Sequence, residues 1–257
     1  MTEPDYVAIN REGWTRANAE YTDAAARDAW AQEEITWGRW GLRESDLGVL
    51  PELEGKDVVE LGCGTAYFGA WLKRHGAARV VGVDVTPAQL ETARRMDDEF
   101  GLGLEFLEEN AEQTSLADAS FDLVFSEYGA SIWCDPARWI PEAARLLRPG
   151  GELVFMRGTT LQMLCVPDQG NVGERLLRPQ KGLYRLEWLD EDPEVEFHPS
   201  TSELFGILRA NGFELVDFRE LFAPEGAVDH EYYSTVTAEW AKRWPDEEIW
   251  RLRLHRR

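Results

Sequence analysis

The sequence predicts an α/β fold, a mostly parallel sheet with helices on both faces, and three observations carry that prediction. Short apolar runs of strand type alternate with helical patterns along most of the chain. The run Val58-Val59-Glu60-Leu61 breaks at Gly62-Cys63-Gly64 and gives way after Thr65 to a helical stretch. A second run, Val80-Val81-Gly82-Val83, ends in Asp84, about twenty residues past Gly64.

Each element follows in turn. Over residues 10–36, Trp14, Tyr21, Ala24, Ala25, Trp30 and Ile35 recur at roughly helical spacing, which predicts one or two amphipathic helices. The first sheet strand covers 57–61, and the helix over 65–76 ends at a glycine. The second strand covers 79–83. Thr86 as N-cap and Pro87 at the first helical position open a helix that runs to about residue 100. A third strand over 104–107, a turn over 109–119 and a fourth strand over 121–126 come next. Asp135-Pro136 caps a helix reaching Leu147, and Pro149-Gly150-Gly151 turns into a fifth strand over 152–156. Residues 202–211 read as a helix stopped by Gly212, before a sixth strand over 213–221 and a seventh over 248–254. There is no internal repeat and no low-complexity tract.

Composition narrows the classes of function. The 257 residues suffice for one α/β domain with a full core. No apolar run approaches membrane-spanning length, and the start, Met-Thr-Glu-Pro-Asp, lacks a basic segment with an apolar stretch behind it; a cytoplasmic protein with no membrane partner is the expectation. Cys63, Cys134 and Cys165 are scattered, with neither zinc spacing nor an even disulfide set, so reduced thiols and no metal are expected. A net charge of -21 repels phosphate backbones, and only residues 251–257 are locally basic, which argues against nucleic acid as a partner. Nothing in the sequence sets the oligomeric state.

The two strand ends make a nucleoside-binding corner. Glycines at 62 and 64 permit a tight turn and a close backbone approach. A carboxylate at the tip of the next strand, Asp84, accepts charge-assisted bonds from vicinal ribose hydroxyls. The dinucleotide fingerprint needs a third glycine at position 67, where this chain has Tyr67. Gly69 comes one turn into the helix, where close packing on the sheet is its role. Glu60, just before the loop, repels a pyrophosphate and attracts an amino group. A cationic ligand with a ribose fits this corner.

The run from Val58 to Ala66 resembles the first motif of the class I S-adenosylmethionine-dependent methyltransferases, with Ala66 in place of the last glycine, an exchange that suits a negative φ. Gly82-Val83-Asp84, Asn110-Ala111-Glu112, the segment 121–126 and the segment 142–151 are similar to later motifs of that family, in the same order over roughly 100 residues. The branch it resembles includes ubiquinone and menaquinone biosynthesis enzymes. The resemblance implies a seven-stranded Rossmann-like sheet whose last strand is antiparallel and hairpins with the sixth. It implies S-adenosylmethionine as cofactor, S-adenosylhomocysteine as product and a small-molecule methyl acceptor.

Site roles follow from the resemblance. It sets Gly62, Cys63 and Gly64 under the methionine and ribose portion, Glu60 toward the amino group, and Asp84 on the ribose with Val85 and Gln89 beside it. Asn110, where relatives usually carry aspartate, borders the adenine with Ala111 and Glu112. Ser126 and the residues after it floor the site near the sulfur, and Tyr21 and Trp37 close over the methionine end. Tyr128 and Trp133 either present π faces to a sulfonium or an apolar acceptor, or simply pack under the covering segments. If the acceptor must lose a proton, His198, His230, Glu127 and Tyr128 are the candidate bases; His75 and His255 have structural explanations.

Two segments lie outside the shared sheet. The expected organisation is a helical cap over residues 1–45 and a methyltransferase domain over 46–257, with a covering insertion at about 158–200. Within that insertion the acidic stretch 190–196 reads as a solvated loop. Aromatic residues in both covering segments point to an apolar or aromatic acceptor. Two other readings stay open: a non-catalytic S-adenosylmethionine-binding protein, and a nicotinamide-dependent oxidoreductase, against which Tyr67 and Glu60 argue.

Overall fold

The computed structural model describes residues 4–20, 23–188, 193–230 and 235–255. Two helices come first, α1 (Asp5–Glu20) and α2 (Asp23–Ala31). A ribbon of β1 (Thr36–Trp37) and β2 (Leu42–Arg43) and the one-turn helix α3 (Glu44–Leu47) lead to the sheet. Strand and helix then alternate through β3 (Asp57–Leu61), α4 (Tyr67–Arg74), β4 (Arg79–Asp84), α5 (Pro87–Phe100), β5 (Glu105–Glu108) and β6 (Phe121–Glu127). The short α6 (Ala130–Trp133), α7 (Pro136–Leu146) and β7 (Leu147–Gly158) follow. An excursion of α8 (Thr160–Cys165) and the hairpin β8 (Arg185–Trp188) with β9 (Glu194–Phe197) precedes α9 (Thr201–Ala210), β10 (Phe213–Leu221), α10 (Ala238–Ala241) and β11 (Glu247–Leu254).

The central sheet has seven strands in the order β10-β11-β7-β6-β3-β4-β5. Pairs from β7 to β5 are parallel, and β11 runs antiparallel to both its neighbours, β7 and β10. Strand order reverses between β3 and β6, since β3 continues outward to β4 and β5 while β6 continues the other way to β7. Chain connections diverge there, and the carboxyl ends of the two strands leave a crevice.

Alternation along the strands builds a core on each face. Val58, Val80, Leu123, Phe125 and Val154 pack against α2, α4 and α5, while Val59, Leu61, Val81, Val124 and Phe155 meet Trp139 and Ile140 of α7 and Leu204 and Leu208 of α9. Burial on both faces is why the inner strands read as nearly continuous apolar runs. Glu60 is the exception, a carboxylate 3% exposed on the first face.

Several expectations need correction. The fifth sheet strand, β7, starts at Leu147 and takes Pro149 to Gly151 into the strand, with a register irregularity opposite Phe121 and Leu123. Helix α4 starts at Tyr67, two residues late, because Ala66 holds a left-handed φ of 58° where the sequence argument required a negative one. Thr86 occupies the N-cap position of α5 without a side-chain cap bond. The end of the supposed solvated loop, from Glu194 to Glu196, belongs to strand β9; its Val195 and the following Phe197 are buried against Tyr6 and Val7 of α1, while Glu194 and Glu196 alternate to the opposite face and are only partly exposed. Residues 190–192 lie outside the described residues. Asn10 of α1 bonds β9 as a neighbouring strand would, accepting from Val195 N at 2.8 Å and donating to Val195 O at 2.9 Å. No helix among the described residues is long and apolar enough to cross a membrane.

Candidate functional site

A cavity of about 940 Å³ opens at the carboxyl ends of the strands, over the point where strand order reverses. Its base on one side is the turn from β3 to α4. Gly62 N and Cys63 N both donate to Val83 O, at 2.8 and 3.0 Å, which ties the turn to the end of β4. Asp84 then fixes the two connections together: its Oδ2 accepts from Gly64 N and its Oδ1 from Thr86 N, each at 2.8 Å. Trp30 of α2 donates to Thr65 O at 2.7 Å and holds the turn from outside.

The glycines do different work. A Cβ on Gly62 would lie 2.6 Å from Ala130 N and from Gly129 Cα, and one on Gly129 would lie 2.2 Å from Gly62 O. The two backbones therefore touch across the strand reversal, and the first glycine serves this packing as well as any ligand. Gly64, at φ 54°, has nothing nearer its missing Cβ than Gln89 Oε1 at 3.6 Å, an ordinary van der Waals contact, so its positive φ rather than crowding calls for glycine. Gly69 admits the Glu60 carboxylate beneath α4: its N–H donates to Glu60 Oε2 at 2.9 Å, and a Cβ there would touch that same oxygen.

The cavity is acidic. Among the described residues Glu60, Asp84, Glu127, Asp168, Glu194 and Glu196 line it, against one arginine, Arg39. Burial raises the Glu60 carboxyl well above its ordinary range, and the charges of Glu127 and Asp84 push the same way. Burial also raises Asp84, opposed by the bonds from Gly64 and Thr86. Glu127 is pushed up to about 7, first by burial and then by Glu247, while the Tyr67 hydroxyl, donating at 2.9 Å, pulls it down. Arg39 is committed to Asp246 at 3.0 Å, to Glu247 at 3.4 Å and to the Tyr128 hydroxyl at 3.2 Å.

His198 sits between two charged groups. Nε2 lies 2.7 Å from Glu196 Oε2, and the buried Arg157 presents Nη2 at 3.3 Å from Nδ1. An arginine cannot accept, so Nδ1 accepts and Nε2 carries the proton given to Glu196. Burial lowers the imidazole pKa further, and a neutral, doubly engaged ring results.

Residues 59–155 match the methyltransferase-domain family. A demethylmenaquinone methyltransferase of Thermus thermophilus is 36% identical over 119 residues, 46% of this chain and 53% of that protein. Another from Clavibacter sepedonicus is 29% identical over 190 residues, 70% of this chain and 75% of that protein. The crystal structure of an S-adenosylmethionine-dependent methyltransferase from Mesorhizobium loti superposes with a TM-score of 0.65 at 25% identity, covering 81% of this chain and 95% of that one. Over residues 59–155 this chain is therefore similar to methyltransferase domains. The chain spans about half the length of the Thermus relative, 53%.

Within the cavity, Glu60, Gly62, Cys63, Gly64, Asp84, Val85, Gln89, Asn110 and Ala111 all line the wall, as do the four candidate bases Glu127, Tyr128, His198 and His230. Three expected contacts do not reach it. Glu112 is turned into the fold, taking the Tyr6 hydroxyl and Asp135 N on Oε1 and Arg138 on Oε2. Ser126 is fully buried, donating to Leu61 O at 2.8 Å and accepting from Ser131 N. Trp37 is fully buried against Phe68 and Phe125, with its indole N–H on Glu44, and cannot close over a ligand. Tyr21 lies outside the described residues.

Sequence reasoning did not single out which residues of the two covering segments line the cavity. Val7, Asn10 and Trp14 of α1, Gln162 on α8, and Trp188, Glu194 and Glu196 of the hairpin all line it. The Glu-Val-Glu-Phe alternation of β9 was the available signal for the last two. Nothing local marks Gly129, whose partner Gly62 is distant in sequence.

Proposed function

We propose that this protein moves a methyl group from S-adenosylmethionine to a small, apolar or aromatic metabolite. The observation that carries the reading is the pairing of a nucleoside corner with uncompensated acid: Asp84 ties two loops while Glu60 and Glu127 sit in the same cavity with no ion pair among the described residues. Buried carboxylates whose pKa values are pushed up regain their charged state beside a cation, so a positively charged adenosine compound fits and a pyrophosphate does not.

In this reading the Asp84 carboxylate, each oxygen holding one backbone N–H and keeping a further lone pair, takes the ribose hydroxyls. Gly64 admits the ligand chain beside the turn, Asn110 and Ala111 border the adenine, and Glu60 receives the amino group. Bound cofactor supplies a methyl activated by a sulfonium, for which alignment matters more than acid–base help. The residues α1 and α2 contribute, with the hairpin β8–β9, form a cover that excludes water; residues 1–45 act as a cap on the domain over 46–257.

Glu127 is the best placed of the candidate bases, because it alone of the four combines a cavity position with a carboxyl at about 7. His198 would have to break its bond to Glu196 or Arg157, and the Tyr128 hydroxyl is held by Glu247 and Arg39. The acidic surface favours a small-molecule acceptor over nucleic acid.

Thermal melts with S-adenosylhomocysteine and with NADH test the assignment. The adenosylhomocysteine should raise Tm at micromolar levels while NADH leaves it unchanged, and the reverse result sinks the proposal. Transfer of a labelled methyl to any member of a metabolite extract separates an enzyme from a binding protein.

A further inference from the structure

The cavity has two ends, divided by the strand reversal. Residues following β3, β4 and β5 build one end, and those following β6 and β7, with α6, α8 and β9, build the other. The second end is joined into one patch: Glu127 pairs with Met156 in the sheet, Gly158 two residues on backs against Gln162 Oε1, and Arg157 between them reaches His198 and so Glu196.

Three of its polar side chains present acceptor oxygens. Glu127 and Glu196 are carboxylates, and Gln162, 8% exposed, turns an amide oxygen that has no hydrogen-bond partner among the described residues. A buried acceptor without a donor costs about 1–3 kcal/mol, which a ligand's N–H would recover. Of the cavity-lining donors, Arg39 is engaged by Asp246, Glu247 and Tyr128 and His198 Nε2 by Glu196, while Arg157 behind them, outside the lining, keeps Nη1 without a hydrogen-bond partner among the described residues. Trp14 and Trp133 meet edge to face, with centroids 5.3 Å apart, in the same wall, and ring faces attract cations.

We propose that this end is an acceptor subsite for an amine-bearing aromatic or apolar molecule, its ammonium held among Glu127, Gln162 Oε1 and Glu196 and its body against Trp14 and Trp133. Anionic acceptors are selected against by the same carboxylates. The inference deepens the methyltransferase reading and rests on it for the word acceptor, though the charge preference of the subsite is independent of it.

Isothermal titration of the full chain with tryptamine, indole-3-propionate and 3-methylindole, each with and without saturating S-adenosylhomocysteine, tests the subsite. Tryptamine should bind at least tenfold tighter than either other probe. Gln162→Leu and Glu127→Gln should each cut that preference threefold or more, and Gln162→Leu should hold adenosylhomocysteine affinity within twofold. Gln162→Glu, which puts a charge at the same place, should raise the preference. Equal or undetectable binding of the three probes, or tighter binding of the propionate, overturns the proposal. Failure of adenosylhomocysteine to bind, with the tryptamine preference intact, removes the cofactor assignment and leaves the amine subsite standing.

Discussion

Asp84→Ala is the sharpest test of the corner, because that side chain has two separable jobs. In the folded chain it receives Gly64 N–H and Thr86 N–H, both at 2.8 Å. Bonds to a charged acceptor contribute about 1.5–3 kcal/mol each, but water in the cavity can replace part of what is lost and the desolvation of the carboxylate itself disappears. The net loss of stability should be about 2 kcal/mol, read as a shift of the urea midpoint with an unchanged slope. Affinity for S-adenosylhomocysteine should fall at least tenfold, about 1.4 kcal/mol or more, in a calorimetric titration. Asp84→Asn divides the two jobs: one acceptor oxygen survives, so stability should recover in part, whereas the ribose contact loses its charge and affinity should stay low. If both variants lose stability but bind adenosylhomocysteine as tightly as the parent, Asp84 only organises the loops and the ribose has been misassigned.

Four further outcomes are expected. Gly129→Ala drives a Cβ to within 2.2 Å of Gly62 O, a backbone atom that cannot swing away, and should destabilise by about 2–3 kcal/mol or prevent folding, measured by denaturant melts. Ala66→Gly relieves the left-handed φ of 58° and, after the entropy penalty of glycine, should stabilise by about 0.5–1 kcal/mol; a loss would mean the strain is absent. Because the folded pKa of Glu127 lies above its ordinary 4.5, the native state binds the extra proton: that contribution is fully present below about pH 4.5 and is lost as pH rises through about 7, so Glu127→Gln should flatten stability against pH over this window. Glu112→Ala strands Tyr6 and Arg138, and should speed proteolysis within α1 far more than within the sheet.

Legibility in the sequence followed locality. The turn from β3 to α4 could be read because its requirements are met by neighbours: an apolar run, two glycines, and an acid one strand away. The β11 strand was found from alternation alone, its antiparallel hairpin with β10 followed from family likeness, and its place beside β7 was not read from the sequence. What failed was anything decided by distant partners. Glu112 and Asn110 are two residues apart, yet one lines the cavity and the other is consumed by Tyr6, Asp135 and Arg138, which the chain supplies from elsewhere. Trp37 was expected to close over the methionine end, and only its packing on Phe68 and Phe125 makes it core. The acid content of residues 190–196 suggested solvent, but a period of two places every second side chain of β9 in the interior whatever the others carry.

The strand synthesised last among those of the sheet lies inside it. Until residue 254 has left the ribosome, β7 and β10 have no common neighbour, and each exposes a row of unpaired amides and carbonyls to anything within reach. Nascent chains of this protein should therefore hold a sticky gap open until the end of translation, and stop codons placed just before β11 should give products that aggregate through that gap instead of folding with one strand fewer.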